Sequence, residues 1–90
     1  MGGKMKLNAF ALMKEQFDHT GMVFNEKNAQ TMALNRTGVL LWKLLASGAG
    51  PERLVSALQS EYPDVPAEQL EIDVETFLQE LENRSLLSRQ

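Results

Sequence analysis

The sequence predicts an α+β domain in which a small three-stranded antiparallel sheet is followed by three helices. Up to residue 34 the apolar residues fall in short runs separated by turn formers, whereas from Asn35 onward they recur at helical spacings of three and four. The breakers Gly48, Gly50-Pro51 and the stretch YPDVP (62–66) then cut the second half into three.

Residues 10–17, FALMKEQF, read as the first strand, and DHTG (18–21) as the turn that leads to a short apolar strand, MVF (22–24). NEKN (25–28) is a hairpin-type connection, and AQTMAL (29–34) is the third strand, with Met32 and Leu34 turned inward and Thr31 and Ala33 turned out. Asn35 then caps a helix, because its side-chain oxygen can accept a first-turn N–H, and Gly48 stands where that helix stops. Leu41, Leu44 and Leu45 form its stripe, with Trp42, the only tryptophan, filling the core beside them. Gly38 sits in its first turn at a propensity cost of about 1 kcal/mol relative to alanine, a cost that close approach to a neighbouring element would offset.

Pro51 opens the second helix, whose buried face is Leu54, Val55 and Leu58. Pro66 begins the third and longest. There Leu70, Val74, Phe77 and Leu81 recur in register with Leu78 widening the stripe, and Ile72, Thr76, Gln79 and Asn83 fall opposite. With a short second helix and a small sheet, the arrangement is winged helix-turn-helix-like. Residues 1–9 are expected to be a flexible N-terminus and 10–87 a single domain. Gly2 follows Met1, but Lys6 stands where an acylation signal requires Ser or Thr.

Ninety residues suffice for one modest core, and 43% hydrophobic with 23% charged residues is an ordinary globular composition. There is no cysteine, hence no disulfide, thiolate zinc site or cysteine nucleophile. No apolar run reaches membrane-spanning length, so the expected location is cytoplasmic, with no membrane partner. Net charge is −3 and unevenly spread. From Asp64 to Glu82 there are seven acids and no Lys or Arg, and the second helix offers only Arg53. A DNA-reading helix must neutralise phosphates, so nucleic acid is not the expected partner. His19, the lone histidine, lies at a turn, and no phosphate loop, nucleophile constellation or metal-ligand spacing is present. No catalysis, cofactor or metal is expected.

The segment LNRTGVLLWKLL (34–45), the short helix PERLVSAL and the closing DVETFLQELENRSLL (73–87) together resemble the PqqD family, coenzyme PQQ synthesis protein D. The resemblance covers roughly residues 22–87. It implies a non-catalytic peptide chaperone of the kind called a RiPP recognition element. Such a module binds the leader of a ribosomally made precursor peptide by strand addition and presents it to a modifying enzyme, a radical SAM enzyme in the founding case. The leader is held beside the third strand, against the third helix. Ser85 departs from the family, which commonly has a glycine at the end of the last helix, so a less sharp cap is expected there.

The residues are compatible with that role. AQTMAL has neither the lysine nor the proline that usually blunts an edge strand. The expected peptide-binding residues are therefore Ala29, Gln30, Thr31, Met32, Ala33 and Leu34 on the strand, with Ile72, Asp73 and Thr76 on the third helix. The acidic helix would attract Lys or Arg in a leader, and Asp73 would also suit a helix N-terminus. The alternative reading is a structural module or homodimer that pairs the same edge with itself.

Overall fold

The computed structural model describes residues 5–89. The chain runs β1 (Met5–Leu7), β2 (Ala11–Glu15), β3 (Gly21–Asn25), β4 (Thr31–Leu34), α1 (Arg36–Ala46), α2 (Pro51–Glu61), α3 (Ala67–Asn83) and β5 (Leu87–Arg89). Strands β2, β3 and β4 form the antiparallel sheet in that order. The expected three strands and three helices are present, with strand ends shifted by one or two residues. Ala29 and Gln30 lie before β4 rather than in it, because Ala29 adopts φ 61° to close the turn, a conformation no strand residue can hold.

One face of the sheet carries the core. Val23, Leu34, Trp42, Leu54, Leu78, Leu81 and Leu86 are buried together where sheet and helices meet. Helix α1 presses onto β3 at Gly21, where an added Cβ would lie 2.9 Å from Val39 Cγ2. Gly38 has the role its position suggests: a Cβ there would stand 3.3 Å from both Leu34 Cβ and the Asn35 side-chain oxygen. That oxygen caps α1, accepting the Gly38 N–H at 2.7 Å. The tight junction between strand and helix thus fixes how β4 is held.

Two helices end in the same motif with different residues. After α1, Gly48 has φ 97°, its N–H bonds to Leu45 O, and the Ala49 N–H bonds to Leu44 O. After α3, Ser85 has φ 59°, its N–H bonds to Glu82 O, and the Leu86 N–H bonds to Leu81 O at 2.8 Å. Both are Schellman caps. The expectation of a less sharp cap on α3 is corrected: the motif is complete, and buried Leu86 and Leu81 supply its apolar contact.

The expectation that residues 1–9 are flexible also meets a different arrangement. Met5–Leu7 pairs antiparallel with Leu87–Arg89, at the opposite end of the chain, while residues 1–4 lie outside the described residues. Asn8 donates from Nδ2 to the Ser85 carbonyl at 3.0 Å, and its own backbone N–H bonds to Leu86 O. Arg89 is held by Glu82 and Glu75 of α3, which clamps β5 to the helix and holds the Glu75 carboxyl below its ordinary pKa through the Arg89 hydrogen bond.

Candidate functional site: the open edge of β4

Among the described residues, strand β4 has a neighbour on one side only. Its register with β3 pairs Val23 with Met32 and Gly21 with Leu34, and beyond the strand the Asn25 N–H bonds to Gln30 O. In an antiparallel ladder the bonding direction alternates along the strand. Gln30, Met32 and Leu34 therefore point their main-chain groups at β3, and Thr31 and Ala33 point theirs outward. The side chains follow the expected alternation, with Leu34 buried, Met32 half-buried, and Thr31 and Ala33 exposed. No charged side chain lies on the strand.

Beside this edge a cavity of about 490 Å³ opens between β4 and α3. Leu41, Leu58 and Leu70 form its apolar floor, each buried, while Met32, Ala33 and Leu34 stand on the strand side and Asp73 and Phe77 on the helix side. At one end the Thr37 hydroxyl and the Tyr62 phenol share a 2.8 Å hydrogen bond. Toward the other end of β4, Arg84 Nη1 donates to the Thr31 carbonyl at 2.9 Å. The apolar floor and uncharged strand suit an extended main chain with apolar side chains. The lining offers one carboxylate, Asp73, and that oxygen already accepts from Gln69 Nε2 at 2.9 Å.

The turn before β4 is anchored from below. Asn25, 1% exposed, donates from Nδ2 to Ser85 O and accepts the Lys27 N–H at 2.8 Å, while its backbone carbonyl receives the Ala29 N–H. A buried amide with its groups satisfied is a rigid support. The Ser85 carbonyl, turned by the positive φ, thereby ties the β3–β4 turn, the segment after β1 and the end of α3 to one point.

The expected site residues are only partly brought together. Met32, Ala33, Leu34 and Asp73 line the cavity, and Thr31 adjoins it on the same edge. Ala29 and Gln30 belong to the turn. Ile72 and Thr76 are not among the residues lining that cavity; with Gln79, Glu80 and Asn83 they border a separate depression on the exposed surface of α3, where Ile72 is 59% exposed. Asp73 is in the second turn of α3, beyond the first turn where the macrodipole acts, and Glu68 is the acid in that first turn. Phe77, Leu41, Leu58, Tyr62 and Val65 were not anticipated as lining residues. The signal for Phe77 was present: it lies four residues after Asp73, on the same helical face.

An uncharged open strand edge set beside a helix-walled apolar cavity defines a small winged-helix-like module suited to holding an extended chain. The family model for coenzyme PQQ synthesis protein D (PqqD) matches residues 21–87, and the chain belongs to that family. Among solved structures it is similar to TbiB1, solved in complex with the TbiA(beta) leader peptide, at TM-score 0.83 and 28% identity, covering 92% of this chain and 94% of that one. It also shares the fold of a lasso peptide synthetase B1 complexed with the leader peptide, at TM-score 0.82 and 20% identity, covering 94% and 98%. Comparison with curated protein sequences gives no match. Among the described residues no helix is long and apolar enough to cross a membrane, and no cluster of side chains fits a metal ion.

Proposed function

We propose that this protein is a non-catalytic peptide chaperone that takes the leader of a ribosomally made precursor as an added strand on β4 and hands it to a modifying enzyme. The observation that carries the proposal is the conjunction of outward main-chain groups at Thr31 and Ala33 with an apolar cavity directly beside them. In β-augmentation the main chain supplies affinity and a side pocket supplies selection. Similarity to a chain solved with a leader peptide supports the same reading.

Strand β4 is short, so the ladder offers about four hydrogen bonds at about 1 kcal/mol each, and ordering the peptide costs about 3 kcal/mol. The cavity must therefore supply the decisive part, about 2 kcal/mol for each apolar side chain buried in it. The resulting affinity is that of a carrier that releases its cargo. A radical SAM enzyme is the proposed recipient and the cytoplasm the proposed location.

Titration of a candidate leader into isotopically labelled protein tests this. The Ala33 amide and the Leu41 and Leu58 methyls should shift together. Shifts confined to the exposed side of α2, or to Ile72 and Thr76, would remove β4 as the site. Sedimentation of the protein alone separates this from a homodimer built on the same edge, because such a dimer would form without peptide.

A further inference from the structure

The edge of β4 is not entirely vacant. Of the main-chain groups that alternation turns outward, the Thr31 carbonyl accepts a hydrogen bond from Arg84 Nη1 at 2.9 Å, while Arg84 Nε donates to Glu80 Oε2 at 2.9 Å. A guanidinium bonded to a carbonyl on the open side of a strand occupies the place where the N–H of an added strand belongs. An incoming chain must therefore stop at Ala33, share the Thr31 carbonyl with Arg84, or displace Arg84. Displacement from Thr31 leaves one side of the guanidinium fork without its acceptor, while Glu80 still engages the Nε side. A carboxylate on the incoming strand restores that loss with a charge-assisted, bidentate geometry that a carbonyl cannot match. A lysine at the same position would bring a like charge against the fork.

We propose that Arg84 is a specificity-determining residue at the Thr31 end of the edge: it holds that carbonyl until an added strand brings an Asp or Glu side chain that takes the guanidinium away. This rests on the strand-addition reading of β4 and adds the chemistry of the segment accepted there. The preferred peptide combines apolar side chains for the cavity with a carboxylate beside Thr31. Arg84 lies at the C-cap of α3, outside the buried core, so its replacement leaves the packing in place.

The test needs no knowledge of the natural precursor. Random peptides of roughly twelve residues, long enough to lie along a strand and its flanks, are displayed and selected against the wild type, Arg84→Gln and Arg84→Lys. Selected peptides are resynthesised with each Glu or Asp changed to Gln or Asn. Against the wild type one such change should weaken binding about tenfold, and against Arg84→Gln less than about twofold, with Arg84→Lys between them. The Ala33 amide, read for every peptide, reports whether the edge is engaged. Peptides that move Ala33 but show no acidic preference, or lose equally on wild type and Arg84→Gln, overturn the role of Arg84 and leave strand addition standing. If no selected peptide moves Ala33, strand addition on β4 fails, and the assignment of Arg84 fails with it.

Discussion

The sheet has two outer strands, and they are treated differently. On β2 the outward main-chain groups belong to Ala11, Met13 and Glu15, because Leu12 and Lys14 face Phe24 and Met22 across the ladder. The Ala11 N–H is already bonded to Asn8 O. Glu15 is held by Lys43 of α1 and approached by His19, and Lys14 adds a further charge. This edge is blunted by the charges that proteins place where pairing is unwanted. On β4 there is no charge, the neighbouring helix stands off by the width of a cavity, and the guard found among the described residues is Arg84 at the Thr31 end. An edge is thus made receptive by what it lacks and by what lies beside it.

The same kind of substitution at each edge gives the largest contrast. Ala33→Pro removes an outward N–H without touching the ladder to β3, so stability should change by no more than about 0.5 kcal/mol. Leader binding should weaken more than about thirtyfold, through the lost bond and the ring blocking its neighbour. Met13→Pro removes an outward N–H from β2; it should cost stability through lost core packing yet leave leader affinity unchanged, as calorimetric titration of both variants would read. Equal losses of affinity would mean the two edges do not differ as described.

Asn25→Ala should cost about 1.5 kcal/mol in denaturant unfolding, because it removes the buried amide that ties the β4 turn to Ser85. Amide exchange should quicken at Gln30 and Met32 before it does in β2. Ser85→Gly acts on the same anchor in the other direction. A glycine accepts the left-handed conformation that serine holds at a cost, so a gain of about 1 kcal/mol and a rise in Tm of roughly 4–8 °C are expected. A loss would mean that the serine side chain contributes more than its backbone strain costs.

The smallest effect belongs to the charged clamp on β2. The Lys43 hydrogen bond holds the Glu15 carboxyl below its ordinary value of 4.5. A lowered carboxylate stabilises the fold fully above that value, and the contribution fades as pH falls through the lower folded pKa. Lys43→Met should raise the Glu15 pKa toward 4.5 in an NMR titration while leaving binding at β4 untouched. A Glu15 pKa unmoved by the substitution would show that Lys43 is not its partner in solution.

Much of this was legible in the chain. The change of apolar period at Asn35, the Asn35 cap, the stop at Gly48, the start at Pro66 and the uncharged β4 all follow from local chemistry that acts within a few residues. So does the inward alternation of Met32 and Leu34. The pairing of β1 with β5 was not legible, since two three-residue strands from opposite chain ends carry no period long enough to read. Nor was the side of α3 that faces the cleft. Turning the helix correctly put Ile72 and Thr76 opposite the core stripe, but which residues lie opposite the core is a different matter from which residues line the cavity beside β4. That distinction depends on where the helix is docked.

By itself, then, the sequence determined the elements, their order, their caps and the absence of charge on one strand, because propensity, capping and alternation are decided among near neighbours. Tertiary structure decided which edge stays open, that Phe77 and Asp73 line the cavity beside it, that three distant segments meet at the Ser85 carbonyl, and that Arg84 reaches Thr31. Those are contacts between residues far apart in the chain, and their geometry exists only after the helices have packed onto the sheet.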